Sequence, residues 1–187
     1  MANLAEPLHR VKARAAKIRL AAFDVDGVLT DGSLILGDRG EQLKVFHTHD
    51  GQGLTMLREA GFHIAVISGR SSAAVEERMT ELGIRYVYQG TSDKLSIFNA
   101  LLRELGLSTE QAAFMGDDVP DLPVMIRAGL AVAVADAHHL VCQHAHWRTR
   151  QPGGRGAVRE LCELLLDAQG ALANLYARYL GSNEQLL

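Results

Sequence analysis

Cysteine is scarce in this chain. Its 187 residues include two, Cys142 and Cys162, too few for a disulfide framework, so a reducing, cytoplasmic setting is expected. Positive charge is not in excess. The formal net charge is −3, which argues against a general nucleic-acid binder. Long apolar runs are missing as well. No stretch approaches the roughly 20 apolar residues a membrane-spanning helix needs, and the charged N-terminus (Glu6, Arg10, Lys12, Arg14, Lys17) has no apolar core of a signal peptide. There is no internal repeat and no low-complexity segment. What remains, at 48% hydrophobic and 22% charged residues, is an ordinary globular chain long enough for one domain, residues 1–187, with a sizeable core.

Within that chain, short apolar runs alternate with helix-like segments. After an amphipathic helix over 4–17 come strands at 18–25, 63–67, 86–88, 112–115 and 130–134. Helices at about 50–60, 72–82, 95–105 and 156–168 separate or follow them, and a last helical stripe covers 171–180. Leu34-Ile35-Leu36 and Leu43-Lys44-Val45-Phe46 flank the turn sequence Gly37-Asp38-Arg39-Gly40, which predicts a β-hairpin over 33–47. Strands that are apolar throughout and alternate with helices predict an α/β fold, a three-layer, doubly wound parallel sheet. Ligands of such sheets bind beyond the carboxyl ends of the strands. Polar residues do gather there: Asp24 and Asp26 after the first strand, Ser68 after the second, and Asp117 and Asp118 after the fourth, with Lys94 opening a helix beyond the third.

Asp24-Val25-Asp26-Gly27 could be a solvated turn. A buried strand nevertheless gains nothing by ending in two carboxylates one residue apart, because like charges removed from water are costly without a compensating cation. The combined set suits phosphoryl transfer. Carboxylates hold Mg²⁺ through hard oxygen ligands, and metal and lysine offset the phosphate charge. Ser68 and the Gly69 N–H are donors for phosphate oxygens. One carboxylate can be the nucleophile, and the second can donate and accept the proton.

Asp24-Val25-Asp26-Gly27-Val28-Leu29-Thr30, Ser68-Gly69-Arg70, Lys94 and Gly116-Asp117-Asp118-Val119-Pro120-Asp121 resemble, in order and placement, the four motifs of the haloacid dehalogenase superfamily. The resemblance implies that Asp24 is the nucleophile and Asp26 the acid/base. It also implies that Asp24, the Asp26 carbonyl and Asp117 bind Mg²⁺, that Ser68, Gly69 and Lys94 hold the phosphoryl group, and that Asp118 and Asp121 support the metal from behind. Aspartate at the second carboxylate position is similar to the phosphatases and phosphomutases of the superfamily.

The interval from Asp24 to Ser68 admits the hairpin and one helix, and that from Lys94 to Asp117 a helix and a strand, so no cap domain fits. An uncapped site is open to water unless a neighbouring subunit closes it. A homo-oligomer touching through the 33–47 hairpin is therefore expected, a simple flap on a monomer being the other reading. Further stretches, among them Asp50-Gly51-Gln52-Gly53, Tyr88-Gln89-Gly90 and Gly153-Gly154-Arg155-Gly156, resemble a capless, tetrameric branch of the same superfamily. That branch removes the 8-phosphate of an eight-carbon 3-deoxy sugar acid in lipopolysaccharide precursor synthesis, and its C-terminal segments, here 171–187, reach neighbouring sites. A nine-carbon sugar-acid 9-phosphate and a catalytically silent regulatory relative are the alternatives. Arg70, His49 and Asp31 are the expected substrate contacts. His49 is a departure, since many members of the branch carry arginine there, and a mostly neutral histidine holds a carboxylate less firmly.

Other features carry less. His138, His139, Cys142, His144 and His146 fall within nine residues and have the density of a zinc site. They span a helix and the start of a strand, however, so they read as surface and core side chains. Arg155 is either an anion contact or part of a plain loop.

Overall fold

A computed structural model describes residues 6–37 and 42–181. Its centre is a six-stranded sheet in the order β5-β4-β1-β6-β7-β8 with every pair parallel. The strands are β1 (Leu20–Phe23), β4 (His63–Ile67), β5 (Tyr86–Tyr88), β6 (Ala112–Gly116), β7 (Leu130–Ala133) and β8 (Trp147–Arg148). A separate antiparallel hairpin pairs β2 (Ile35–Leu36) with β3 (Gln42–Leu43). The helices are α1 (Leu8–Ala15), α2 (Thr48–Glu59), α3 (Ala73–Glu81), α4 (Lys94–Leu105), α5 (Leu122–Met125), α6 (His139–His144), α7 (Ala157–Ala168) and α8 (Leu172–Leu180).

Sheet periodicity explains why the strands read as unbroken apolar runs. Successive side chains point to opposite faces, and here both faces are covered. Ala21 and Phe23 of β1 join one core with Leu54, Leu57, Val158 and Leu161 of α2 and α7. Leu20 and Ala22 join a second core with Phe98, Leu101 and Val124 of α4 and α5. β4, β6 and β7 divide in the same way. Each large side chain fully withdrawn from water contributes about 1.5–3 kcal/mol. The fold is thus the expected three-layer α/β sheet.

Several boundaries differ from the sequence expectation. β1 is shorter than 18–25 because the chain turns at Val25, whose carbonyl accepts the N–H groups of Val28, Leu29 and Thr30. α1 begins after Pro7, with Val11 and Ala15 inward and Leu8 exposed; Leu4 lies outside the described residues. α2 starts two residues before Asp50, at Thr48. The hairpin strands are two residues each, and its turn residues 38–41 lie outside the described residues, as do 182–187 of the C-terminal segment. Among the described residues no cap domain is inserted between β1 and β4 or between α4 and β6.

β1 lies between β4, the next long strand in sequence, and β6. The order reverses at this point, and the loops leaving β1 and β6 part to form a crevice.

Candidate active site

Asp24 follows β1 directly, and its N–H still donates to the Met115 carbonyl of β6, at 3.1 Å. Lys94, the first residue of α4, sends its ammonium back into the crevice. Its Nζ lies 2.6 Å from Asp24 Oδ1 and 2.7 Å from Asp121 Oδ1. The helix start that aims it is capped by Asp93, which accepts from the Ser96 N–H at 3.0 Å. Asp121 closes the first turn after β6, where its second oxygen accepts the N–H groups of Asp117 (3.0 Å) and Asp118 (3.4 Å). Asp24, Lys94, Asp121 and Ser68 are all buried.

Burial, and after it the charge of Asp121, lifts the Asp24 carboxyl from 3.8 to about 6 against the pull of Lys94. Burial and then Asp121, Asp24 and Asp118 lift Asp117 to about 8. Burial lowers the Lys94 ammonium, yet the negative charges of Asp121 and Asp24 outweigh it and leave Lys94 raised. The cluster is therefore short of positive charge. One oxygen each of Asp24, Asp117 and Asp121 lies within 4.8 Å of the others. Three crowded hard-oxygen donors with only one lysine among them suit a divalent cation such as Mg²⁺.

The loop from Gly27 to Asp31 shapes the crevice wall. At Gly27 the backbone has φ +91°, and a Cβ there would meet Asp117 Oδ2 at 2.1 Å. Only glycine lets Asp117 approach. The loop is backed by residues 153–156. Gly153 packs so closely that a Cβ would lie 1.8 Å from the Gly27 carbonyl oxygen, the Gly154 N–H donates to the Val28 carbonyl at 2.8 Å, and Arg155 pairs with Asp31 at 3.0 Å.

Asp24, Asp26, Ser68, Gly69, Arg70, Lys94, Asp117, Asp118 and Asp121 line one open cleft of about 440 Å³, with Leu34 of the hairpin side at its rim. Volume does not single it out, since clefts of about 470 and 520 Å³ lie beside Trp147. Its chemistry does. Ser68 directly follows β4, and its Oγ accepts the Arg70 N–H at 3.2 Å. Arg70 is exposed at the mouth. Asp118 caps the turn that follows it through the Val119 N–H, at 2.8 Å. Two of the expected substrate contacts stand apart from this lining. Asp31 is engaged by Arg155, and His49 lies exposed on the first turn of α2, its ring 4.9 Å from that of His47.

Two acidic or basic residues have partners that the sequence did not reveal. Lys44 of the hairpin, its side chain only 3% exposed, forms an ion pair with Asp26. The one sequence signal was a lysine inside an apolar strand. Buried Asp50 accepts the N–H groups of Gly156 (3.1 Å) and Arg159 (2.8 Å) at the start of α7. It is therefore a structural brace between α2 and α7, which explains why an aspartate stands in that stretch without reaching the cleft. In the histidine-rich segment, the His138 and His146 rings accept N–H groups of Leu140 and Ala131, and His144 bonds the Leu140 carbonyl.

The haloacid dehalogenase-like hydrolase family matches residues 34–129. The chain is 50% identical to the 3-deoxy-D-manno-octulosonate 8-phosphate phosphatase KdsC of Escherichia coli K12, over 87% of this chain and 86% of that one. The crystal structure of a probable YrbI family phosphatase from Pseudomonas syringae superposes with a TM-score of 0.92 at 50% identity, covering 94% of this chain and 99% of that one. The 3-deoxy-D-manno-octulosonate 8-phosphate phosphatase of Moraxella catarrhalis, solved with a magnesium ion, a phosphate ion and KDO, superposes with a TM-score of 0.91 at 39% identity, covering 92% and 99%. Sequence motifs, sheet order and these likenesses agree: the chain belongs to the haloacid dehalogenase-like hydrolases.

Proposed function

We propose that this protein is a Mg²⁺-dependent phosphatase that hydrolyses 3-deoxy-D-manno-octulosonate 8-phosphate to the free sugar acid and inorganic phosphate, in lipopolysaccharide precursor synthesis. The observation that carries the reaction type is the buried Asp24–Lys94–Asp121 network with Asp117 beside it. The substrate rests on half-identity, over most of both chains, to relatives named for that activity.

In this reading Asp24, Asp117 and the Asp26 carbonyl hold the cation, which neutralises phosphate charge when bound. Asp121 fixes Lys94 and the Asp117 backbone, and Asp118 holds the turn between them. Ser68, the Gly69 N–H and Lys94 hold the phosphoryl oxygens. An Asp24 oxygen attacks phosphorus as the ester P–O bond breaks, and Asp26 gives its proton to the departing sugar oxygen. Asp26 then takes a proton from water, whose oxygen displaces Asp24 from phosphorus, releasing phosphate and restoring both carboxyl groups. Arg70, exposed in the lining of the cleft, would meet the sugar-acid carboxylate, with His49 and Asp31 outside that lining.

The protein works as a homo-oligomer, most simply a tetramer, in the cytoplasm. Leu34, Ile35, Leu36, Leu43 and Val45 are all at least 43% exposed on and around the hairpin, an apolar patch that a second copy would cover. Both cysteines are free, and among the described residues no helix is long and apolar enough to cross a membrane.

Phosphate release from a panel of sugar-acid phosphates, including the eight-carbon 8-phosphate and nine-carbon 9-phosphates, with and without Mg²⁺, tests the reading. Release confined to the eight-carbon ester with Mg²⁺ is expected. Preference for a nine-carbon ester overturns the substrate, and no release from any overturns the enzyme. Asp24→Asn keeps the side-chain volume but removes the nucleophile, and turnover should fall by at least about 10³-fold with an unchanged circular-dichroism spectrum.

A further inference from the structure

Lys44 belongs to the hairpin, yet its ammonium is spent inside the site. The neighbouring side chains Leu43 and Val45 are exposed, at 60% and 55%, whereas the Lys44 side chain, just past β3, is only 3% exposed and pairs with Asp26. Asp26 itself sits on the loop after β1, where no other side chain among the described residues is found bonded to it. Its neighbour in function, Asp24, is held instead by Lys94. The two carboxylates thus have separate cationic anchors, one from the sheet scaffold and one from the hairpin. A lysine with its stem buried loses the rotamer freedom it would keep in water. A flexible surface lysine would not be held in this way.

We propose that Lys44 is a positioning residue for Asp26: the hairpin, through Lys44, fixes where the acid/base carboxylate points during the two proton transfers. This rests on the assignment of Asp26 as acid/base above. Among the described residues Lys44 has no hydrogen bond or ion pair to the nucleophile or to the phosphate-binding residues, so its loss should leave attack by Asp24 intact. Proton delivery to a poor leaving group and proton removal from water are the steps it weakens. A misaimed general acid/base loses part of the ~10²–10⁴-fold such groups contribute.

The test compares Lys44→Met, Lys44→Arg and Asp26→Asn in the full-length Mg²⁺-loaded enzyme, with oligomer mass and melting temperature as controls. On 3-deoxy-D-manno-octulosonate 8-phosphate, K44M should lower kcat by about tenfold to hundredfold with KM changed less than about threefold, and K44R should recover most of it. With p-nitrophenyl phosphate, whose leaving group needs no proton, stopped-flow absorbance should show a nitrophenolate burst of roughly one equivalent in K44M and D26N, followed by slow turnover as water attack becomes limiting. A burst in D26N with unchanged kcat in K44M overturns the Lys44 proposal alone. So does loss of both burst and turnover in a K44M protein of normal mass and melting temperature. Full activity of D26N on the sugar phosphate overturns the acid/base reading, and this inference with it.

Discussion

The crevice and the hairpin each reverse the usual distribution of polar and apolar groups. At the carboxyl ends of β1 and β6 the protein buries charges: Asp24, Lys94 and Asp121 are each less than a tenth exposed. On the hairpin it exposes apolar side chains, with Leu36 at 66% and Leu43 at 60%. Buried charges are costly unless paired, and an exposed apolar patch costs solubility unless covered. The first arrangement is short of positive charge, and the second leaves apolar surface that a second copy, on the reading proposed above, would cover. Lys44 joins the two, because it stands on the hairpin but pairs with Asp26.

The largest expected effect lies in the crevice. Removing Lys94 leaves Asp24 and Asp121 facing each other in a dry site, and loss of one partner from a buried ionic network typically costs about 3–5 kcal/mol. Lys94→Ala should therefore lower the unfolding free energy of the metal-free protein, measured by urea titration, by an amount in that range. By contrast Lys12→Ala, which breaks the half-exposed pair with Asp167, should change it by less than about 1 kcal/mol. Equal effects of the two substitutions would show that the crevice is wet and the comparison mistaken.

A smaller effect, and one with a definite sign, follows from the raised carboxyls. In the metal-free protein Asp24 is lifted to about 6 and Asp117 to about 8, both from 3.8. A carboxyl raised by folding holds its proton more tightly in the native state than in the unfolded chain. Its contribution is most favourable below the unfolded value and declines as pH rises through the folded one. The melting temperature of the metal-free protein should accordingly fall between about pH 5 and about pH 9, and Mg²⁺ should raise it more at the upper end, where metal need not displace protons. A melting temperature that rises steadily over that interval, or a Mg²⁺ effect larger at low pH, contradicts the crowding argument. Asp50 is also raised by burial, but its two backbone donors are present with or without metal, so it contributes nothing to the Mg²⁺-dependent difference.

Much of the crevice was legible in the sequence because its residues punctuate periodic structure. Asp24, Ser68 and Asp117 each stop an apolar strand, and Lys94 opens the helix after another; parallel α/β topology then brings strand ends together without further information. The partners of those residues were not legible. That Asp121 would hold both Lys94 and the Asp117 backbone depends on a single turn after β6, and that Lys44 would reach Asp26 depends on how far the hairpin folds over the loop. Asp50 was misleading in the opposite direction. It lies in a stretch rich in functional resemblance, yet it caps α7, more than a hundred residues away in sequence, as the Gly156 N–H bond shows. The turn sequence between the apolar runs Leu34–Leu36 and Leu43–Phe46 did predict a hairpin, whose strands are the shorter Ile35–Leu36 and Gln42–Leu43, but an apolar run cannot say whether an outward side chain meets water or a neighbour.

That last distinction is open to the mildest perturbation. Leu36 is largely exposed, so Leu36→Glu should change monomer stability by no more than about 0.5 kcal/mol, as surface substitutions usually do. If a second copy covers the patch, the same substitution places a charge in an apolar interface, and light scattering should show smaller particles than the parent at equal concentration. Turnover should fall along with mass if the neighbour helps to close the open cleft. Unchanged mass with full activity would mean that the hairpin serves its own chain alone, holding Lys44 against Asp26 as a flap. The crevice would then need nothing from a neighbour, and the hairpin's exposed leucines would be the tolerated cost of keeping one lysine inside.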